Sequence, residues 1–277
     1  MKKNLKYYLK GILNEKDLSV LPTSYDVIGD IMVFADFPKA LAKKEKKIAD
    51  VILQNYRHVK VVVKKSKQYS GIFRLPKLKI MGGNRRKETT HKENGALLTL
   101  DVEKVYFSPR SGTERQRIIK MIKPGERVLV MFSGCGPFVI EIAKHTSAQN
   151  VVGVEINPIA HRYAQINAKQ NKVEDKVVLL HGDVRKIIPT MKKKFDRVLM
   201  PLPKTAHEFL PLALSAVKKN GIVHYYDFSE EKQYDMVRQK VMQVCMKSKK
   251  KCSVQGIVSC GQYSPGHYRV CADVIVK

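Results

Sequence analysis

The sequence predicts a doubly wound α/β fold whose sheet ends in an antiparallel hairpin, preceded by a smaller α+β domain. Three observations lead there. From about Ser108 onward, strand-like and helix-like segments alternate with short connections, the pattern of repeated βα units and a largely parallel sheet. The last two strand-like segments, 252–260 and 267–276, are joined by a loop too short for a crossover helix, so they must pair antiparallel. Before Ser108 a helix and several strands follow one another without that alternation.

Residues 1–20 read as a short basic helix with Leu5, Tyr8, Leu9, Ile12 and Leu13 on one face, ended by Pro22. VIGDIMVF (27–34) reads as a strand, followed by a Lys-rich helix from about Lys39 to Tyr56. VKVVVKK (59–65) is a second strand. GIFRLPKLKIMGG (71–83) gives one or two more, and the alternating ALLTLDVEKVYF (96–107) another. The second half continues with a helix at 112–123, strand 127–132, helix 137–147, strand 150–156, helix 158–171 and strand 176–183. Then come strand 195–202, helix 205–219, strand 221–228 and helix 230–247 before the final two strands. The domains implied are a basic helix (1–20), an α+β module (21–105) and a doubly wound domain (106–277).

Charge narrows the partner class. Lys and Arg number 52 against 25 Asp and Glu, a formal net charge of +27. The excess is spread along the chain, +12 up to residue 105 and +15 beyond it. A surplus of this size repels itself unless a polyanion meets it, which points to nucleic acid. The apolar runs fall short of the ~20 residues a membrane span needs, and the start lacks the apolar core of a signal peptide. Five cysteines without a C-x-x-C pair suggest neither a disulfide framework nor a zinc site, and fit a reducing cytoplasm.

The chemistry concentrates at strand ends. FSGCGPF (Phe132–Phe138) follows a strand and opens a helix, and Gly134 and Gly136 allow a sharp turn and close backbone approach to a ligand. Pro137 and Phe138 stand where a third glycine would complete a pyrophosphate cradle. A smaller zwitterion, such as the methionine end of S-adenosylmethionine, fits better. Glu155, followed by Ile156, ends the next strand, where a carboxylate can accept both ribose hydroxyls. Asp183, followed by Val184, ends the third, placed to meet an adenine amino group. The fourth strand runs into MPLPKTAHEF, and Pro201 and Pro203 stiffen that loop at the carboxyl edge of the sheet. A doubly wound sheet closing on a hairpin, with these strand ends, is the Rossmann-like layout of class I methyltransferases.

YFSPRSGTERQRI (106–118), FSGCGPF, VEINP (154–158), GDVR (182–185), MPLPKTAHEFL (200–210) and IVHYYDF (222–228) resemble the archaeal and eukaryotic tRNA (guanine-37 N1)-methyltransferase family. SYDVIGDIMVF (24–34) and THKENG (90–95) extend the resemblance, which covers about residues 15–277. It implies an enzyme that binds the tRNA anticodon loop; methyl transfer is an in-line displacement at a sulfonium, so the methyl donor needs no metal, and a monomer is expected. Glu114 matches the family's proposed general base for the guanine N1 proton, and Arg74 the residue that holds guanine O6. Tyr106 and Arg110 match positions that frame the cofactor, and Arg115 is expected to contact phosphate or orient substrate. Val130 stands where the family often has an acid, and Pro201 where many members have Asn. The Pro-Leu-Pro form resembles an archaeal subgroup that also methylates a tricyclic wyosine precursor. A related activity is aminocarboxypropyl transfer in wybutosine synthesis, and a non-catalytic tRNA-binding role is a further alternative. The outer-corner reader of longer members has no counterpart in the resemblance. RNA affinity is therefore expected from residues 1–105 and the methyltransferase face, above all from Arg85, Arg86 and Lys87 in a mobile loop. Lys43, Lys44, Lys46 and Lys47 form a second cluster.

Overall fold

In the computed structural model, which describes residues 4–230, 233–264 and 266–277, the buried apolar side chains gather in separate cores. One compact unit comprises residues 1–92 and 97–109, the other residues 93–96 and 110–277.

In the first unit, the expected N-terminal helix is two short ones, α1 (Leu5–Leu9) and α2 (Glu15–Ser19), residues 1–3 lying outside the described residues. Gly11 at φ 75° breaks the run between them, and Asn4 and Asn14 start each helix by accepting a backbone N–H at the third residue on. Leu5, Leu9 and Leu13 pack into the unit's core, so this segment is part of the α+β unit and not an appendage. VIGDIMVF is likewise two strands, β1 (Asp26–Ile28) and β2 (Ile31–Phe34), paired antiparallel around Gly29 at φ 57°. A Cβ on Gly29 would lie 2.2 Å from Thr89 Oγ1, so only glycine fits this turn. A 3₁₀ turn (Lys39–Lys44) leads into α3 (Glu45–Asn55), whose Ile48, Ala49 and Ile52 are fully buried. Strands β3 (Val61–Ser70) and β4 (Leu75–Gly83) complete a sheet of order β1-β2-β3-β4. The segment 88–101 forms a separate two-stranded sheet, β5 (Glu88–Glu93) and β6 (Ala96–Asp101), around Asn94-Gly95. Both turn residues have positive φ, 48° and 79°, which matches the twist of a two-residue hairpin. The expected strand over 96–107 therefore ends at Asp101.

The second unit opens with α4 (Gly112–Met121), β7 (Arg127–Met131), α5 (Pro137–His145), β8 (Asn150–Glu155) and α6 (Pro158–Gln170). β9 (Val177–His181), the short α7 (Val184–Ile187), β10 (Phe195–Met200), α8 (Ala206–Ala216) and β11 (Val217–Glu230) follow. It closes with α9 (Tyr234–Lys247), β12 (Cys252–Ser264) and β13 (His267–Val276); residues 231–232 of the expected last helix lie outside the described ones. The seven-stranded sheet has the order β12-β13-β11-β10-β7-β8-β9, parallel except for β13, which runs antiparallel to both β11 and β12. β7 and β10 are neighbours at its centre, and from them the chain winds outward in opposite directions. Their carboxyl ends therefore frame the crevice where open α/β sheets bind ligands.

Candidate active site

The glycine loop leaves β7 through left-handed backbone. Phe132, Gly134 and Gly136 have φ of 58°, 58° and 85°. A Cβ on Gly136 would lie 3.3 Å from Ile140 and 3.4 Å from Ala164, a close fit, so the positive φ is the stronger reason for glycine here. Pro137 occupies the first turn of α5, where its missing N–H costs no helix bond. Gly134 N donates to Glu155 Oε2 at 2.7 Å, and Asn157 N to Oε1 at 2.8 Å, which ties the loop to the end of β8. Burial raises the Glu155 carboxyl above the ordinary range, against those backbone donors. With three backbone donors, Ile156 N among them, on its four lone-pair sites, the carboxylate retains room for a hydroxyl. Ile156, beside it, is 39% exposed, an apolar surface next to a polar anchor. That donor and acceptor set fits the nucleoside part of S-adenosylmethionine.

Neighbouring residues close the same crevice. The Phe132 ring packs edge-on against Phe209 at 4.9 Å, and the Arg185 guanidinium lies 5.7 Å from Phe209. Arg185 also pairs with Asp183, whose carboxyl it holds below the usual range. Asp183 caps α7 by accepting from Arg185 N. The Val184 side chain is in the core, so its backbone is what it can offer a ligand. Pro201, Leu202 and Pro203 are half-buried beyond β10, in a tight turn where Leu202 N donates to Met200 O at 2.7 Å.

Glu114 is buried near the start of α4. Arg117, one turn on, donates from Nε to its Oε2 at 2.7 Å and from Nη2 to its Oε1 at 2.9 Å. The Tyr226 hydroxyl donates to Oε1 at 2.7 Å, and the Phe138 ring lies 6.2 Å from that of Tyr226. Arg117 also donates to both oxygens of Asp273, at 2.7 and 3.2 Å. Among the described residues, His224, Cys271 and Asp273 are spaced closely enough to hold a cation. Arg117 and His224 already engage that carboxylate, so the group is a hydrogen-bonded knot.

The expectation for Arg115 is overturned. It is 3% exposed, pairs with Glu93 at 2.5 and 2.8 Å and lies 3.2 Å from Glu141. Its charge is spent inside the second unit, pinning the hairpin tip to α4 and α5, and does not face a phosphate. Arg86 and Lys87 depart in the same way: Arg86 is paired with Asp30 and Lys87 with Glu103, so neither swings freely. Arg85 is exposed. Lys44 pairs with Asp17 and Lys46 with Asp50, while Lys43 and Lys47 are exposed. Arg74 sits in the β3–β4 turn at φ 52°, a conformation uncommon for a residue with a Cβ, with its N–H donating to Gly71 O. Tyr106 is 43% exposed in the first unit, and Arg110 is exposed at the 3₁₀ turn that precedes α4.

The parallel sheet with one inserted antiparallel strand, and a glycine loop tied to an acidic strand end, define a class I methyltransferase domain. Comparison with known proteins sharpens this. Residues 89–255 match the model of the TRM5/TYW2 methyltransferase domain, and residues 5–86 that of the TYW2 N-terminal domain. The chain is 41% identical over 258 residues to the tRNA (guanine(37)-N(1))-methyltransferase Trm5b of Pyrococcus abyssi, covering 93% of this chain and 76% of that one. With the Trm5b of Methanocaldococcus jannaschii it shares 36% over 224 residues, 80% of this chain and 64% of that one, just under two thirds of its length. A tRNA(Phe) (4-demethylwyosine(37)-C(7)) aminocarboxypropyltransferase of the same organism is 31% identical, covering 90% and 96%. A solved complex of aTrm5 with tRNALeu superposes with a TM-score of 0.86 at 32% identity, covering 100% of this chain and 79% of the other. The chain belongs to the TRM5/TYW2 methyltransferase family.

Proposed function

We propose that this chain transfers a methyl group from S-adenosylmethionine to N1 of the guanosine 3′ to the tRNA anticodon. The observation that carries the reading is the 41% identity with a Trm5b over 93% of the chain. S-adenosylmethionine supplies a methyl group on a sulfonium, held by the glycine loop, Glu155, Ile156 and the Asp183 turn. Guanine N1 carries a proton, and Glu114 takes it up, which contributes on the order of 10² to 10⁴ in rate. Arg74 holds guanine O6, where negative charge develops as the proton leaves. Tyr106 and Arg110 frame the cofactor and the target base, and Pro201 and Pro203 line the base side with an apolar, stiff edge. That edge suits a tricyclic wyosine precursor as a second methyl acceptor.

A second reading, aminocarboxypropyl transfer from the same cofactor, is favoured by the match of residues 5–86 to the TYW2 N-terminal domain. Incubation of unmodified tRNA with donor labelled either in the methyl or in the carboxypropyl group separates the two. Methyl label in the RNA supports the proposal. Carboxypropyl label in its place, above all with a wyosine-precursor tRNA, supports the second reading.

A further inference from the structure

The Glu114–Arg117–Asp273 chain continues inward. Asp273 Oδ1 lies 2.6 Å from His224 Nδ1, and His224 Nε2 lies 2.7 Å from Arg197 Nη1, so the imidazole donates to Asp273 and accepts from Arg197. Arg197 is itself paired with Glu126. Strand register explains the assembly. His224 and Asp273 are directly opposite across β11 and β13, as are Tyr226 and Cys271 two residues along. The two-residue period puts all four side chains on one face, the face that meets Glu114 and Arg117 of α4.

The charges in this knot do not balance. His224 Nε2 accepts from the Arg197 guanidinium, which can only donate, so the buried imidazole is neutral, and burial lowers its pKa in the same direction. Among the described residues, the carboxylates Glu114, Asp273 and Glu126 then pair with two guanidiniums, Arg117 and Arg197, leaving one negative charge over. The knot has room for one proton, and Glu114 is its carboxylate on α4. Were Glu114 the sole partner of Arg117, protonating it would strand a half-buried guanidinium, which opposes proton uptake. Asp273 removes that obstacle because it already holds Arg117 by a second fork.

We infer that Asp273, held by His224, is a positioning residue for methyl transfer: it shares Arg117 with Glu114, so that Glu114 accepts the N1 proton without leaving Arg117 unpaired. This rests on the reading of Glu114 as the base. In the step itself the N1–H electron pair becomes the nucleophile, the proton passes to a Glu114 oxygen, the N1–CH₃ bond forms, and the S–CH₃ pair returns to sulfur. Among the described residues, the Tyr226 hydroxyl and the Cys260 and Cys271 thiols are the further titratable groups of this cluster. Tyr226 and Cys271 are raised well above their ordinary ranges by burial, and both stay protonated through the working range.

The test is the pH profile of single-turnover methyl transfer by the full chain with S-adenosylmethionine and an unmodified tRNA transcript. Asp273→Asn should move the acid limb down by at least about one pH unit and lower the plateau roughly three- to tenfold, with cofactor affinity unchanged. Adding Arg117→Gln should return the acid limb to the parent position or above it, because no guanidinium remains to favour the carboxylate. Should Asp273→Asn not fold, the double variant carries the test alone by the same criterion. A uniform fall in rate with an unmoved acid limb, or a double variant whose limb lies below the parent's, overturns the inference. Glu114→Gln separates the levels: parental activity in that variant removes the base itself, whereas an inactive Glu114→Gln with a parental Asp273→Asn profile removes only the sharing role.

Discussion

Individual side chains divide into those readable from their neighbours in sequence and those whose partners come from far along the chain. Glu155 belongs to the first group, since a strand ending in an acid about twenty residues after a glycine loop is a local pattern. Its carboxylate lies against Gly134 N. Glu155→Ala should weaken S-adenosylmethionine binding by about 1.5–3 kcal/mol, the worth of hydrogen bonds to a charged acceptor. Calorimetry checks it, and an unchanged affinity would detach Glu155 from the ribose. Arg115 and Asp273 belong to the second group. Nothing in T-E-R-Q-R says that Arg115 turns inward to Glu93 and Glu141 while Arg117 reaches Asp273, 156 residues on. Burial alone would raise the Asp273 carboxyl, but hydrogen bonds from His224 and Arg117 outweigh it and hold it well below the usual range. A depressed folded-state value means that this group stabilises the fold above its unfolded range, near 3.8, and that the contribution is lost as pH falls below it. Acid unfolding of Asp273→Asn, followed by circular dichroism, should therefore be less steep below pH 4 than that of the parent. Equal steepness would contradict the assignment.

Secondary-structure elements were legible where period and punctuation agree. Apart from the four-residue α7, which the sequence reading did not expect between 183 and 195, the βα units from α4 to α9 fall where alternating apolar strands and 3.6-period helices place them, because Gly, Pro or Asn punctuates the longer elements. Elements built by single turn residues were not. Gly11 and Gly29 each split one expected element into two by adopting positive φ, and apolar spacing does not register a backbone reversal. The β5–β6 hairpin escaped because β5 (ETTHKE) is polar throughout, though its Asn-Gly turn is itself a hairpin signal. At the glycine loop the local pattern names the loop, and the structure supplies the reason. Gly136→Ala puts a Cβ at positive φ against Ile140 and Ala164. It should weaken cofactor binding tenfold or more and lower the thermal midpoint. A variant with parental affinity would show that the loop is not the cofactor cradle.

For the molecule as a whole, a +27 charge names a polyanionic partner class but not the residues that touch it. Pairing decides that. Arg86 and Lys87 are engaged by Asp30 and Glu103, so neutralising them should lower the stability of the first unit as well as RNA affinity. Exposed Arg85 should act on affinity alone: Arg85→Ala is expected to reduce the salt slope of tRNA binding by up to about 0.9 for each phosphate it no longer neutralises, with an unchanged melting temperature. An unchanged slope would place the RNA elsewhere. The central claim, methyl transfer to N1 of guanosine 37 with Glu114 as the base, is tested most directly by one nucleoside analysis. Unmodified tRNA is digested after a single turnover with methyl-labelled S-adenosylmethionine, for the parent and for Glu114→Gln. The account predicts label in 1-methylguanosine from position 37 for the parent, and a fall of about a hundredfold or more for Glu114→Gln at saturating cofactor. Label in any other nucleoside, or a Glu114→Gln rate within about threefold of the parent, would contradict it.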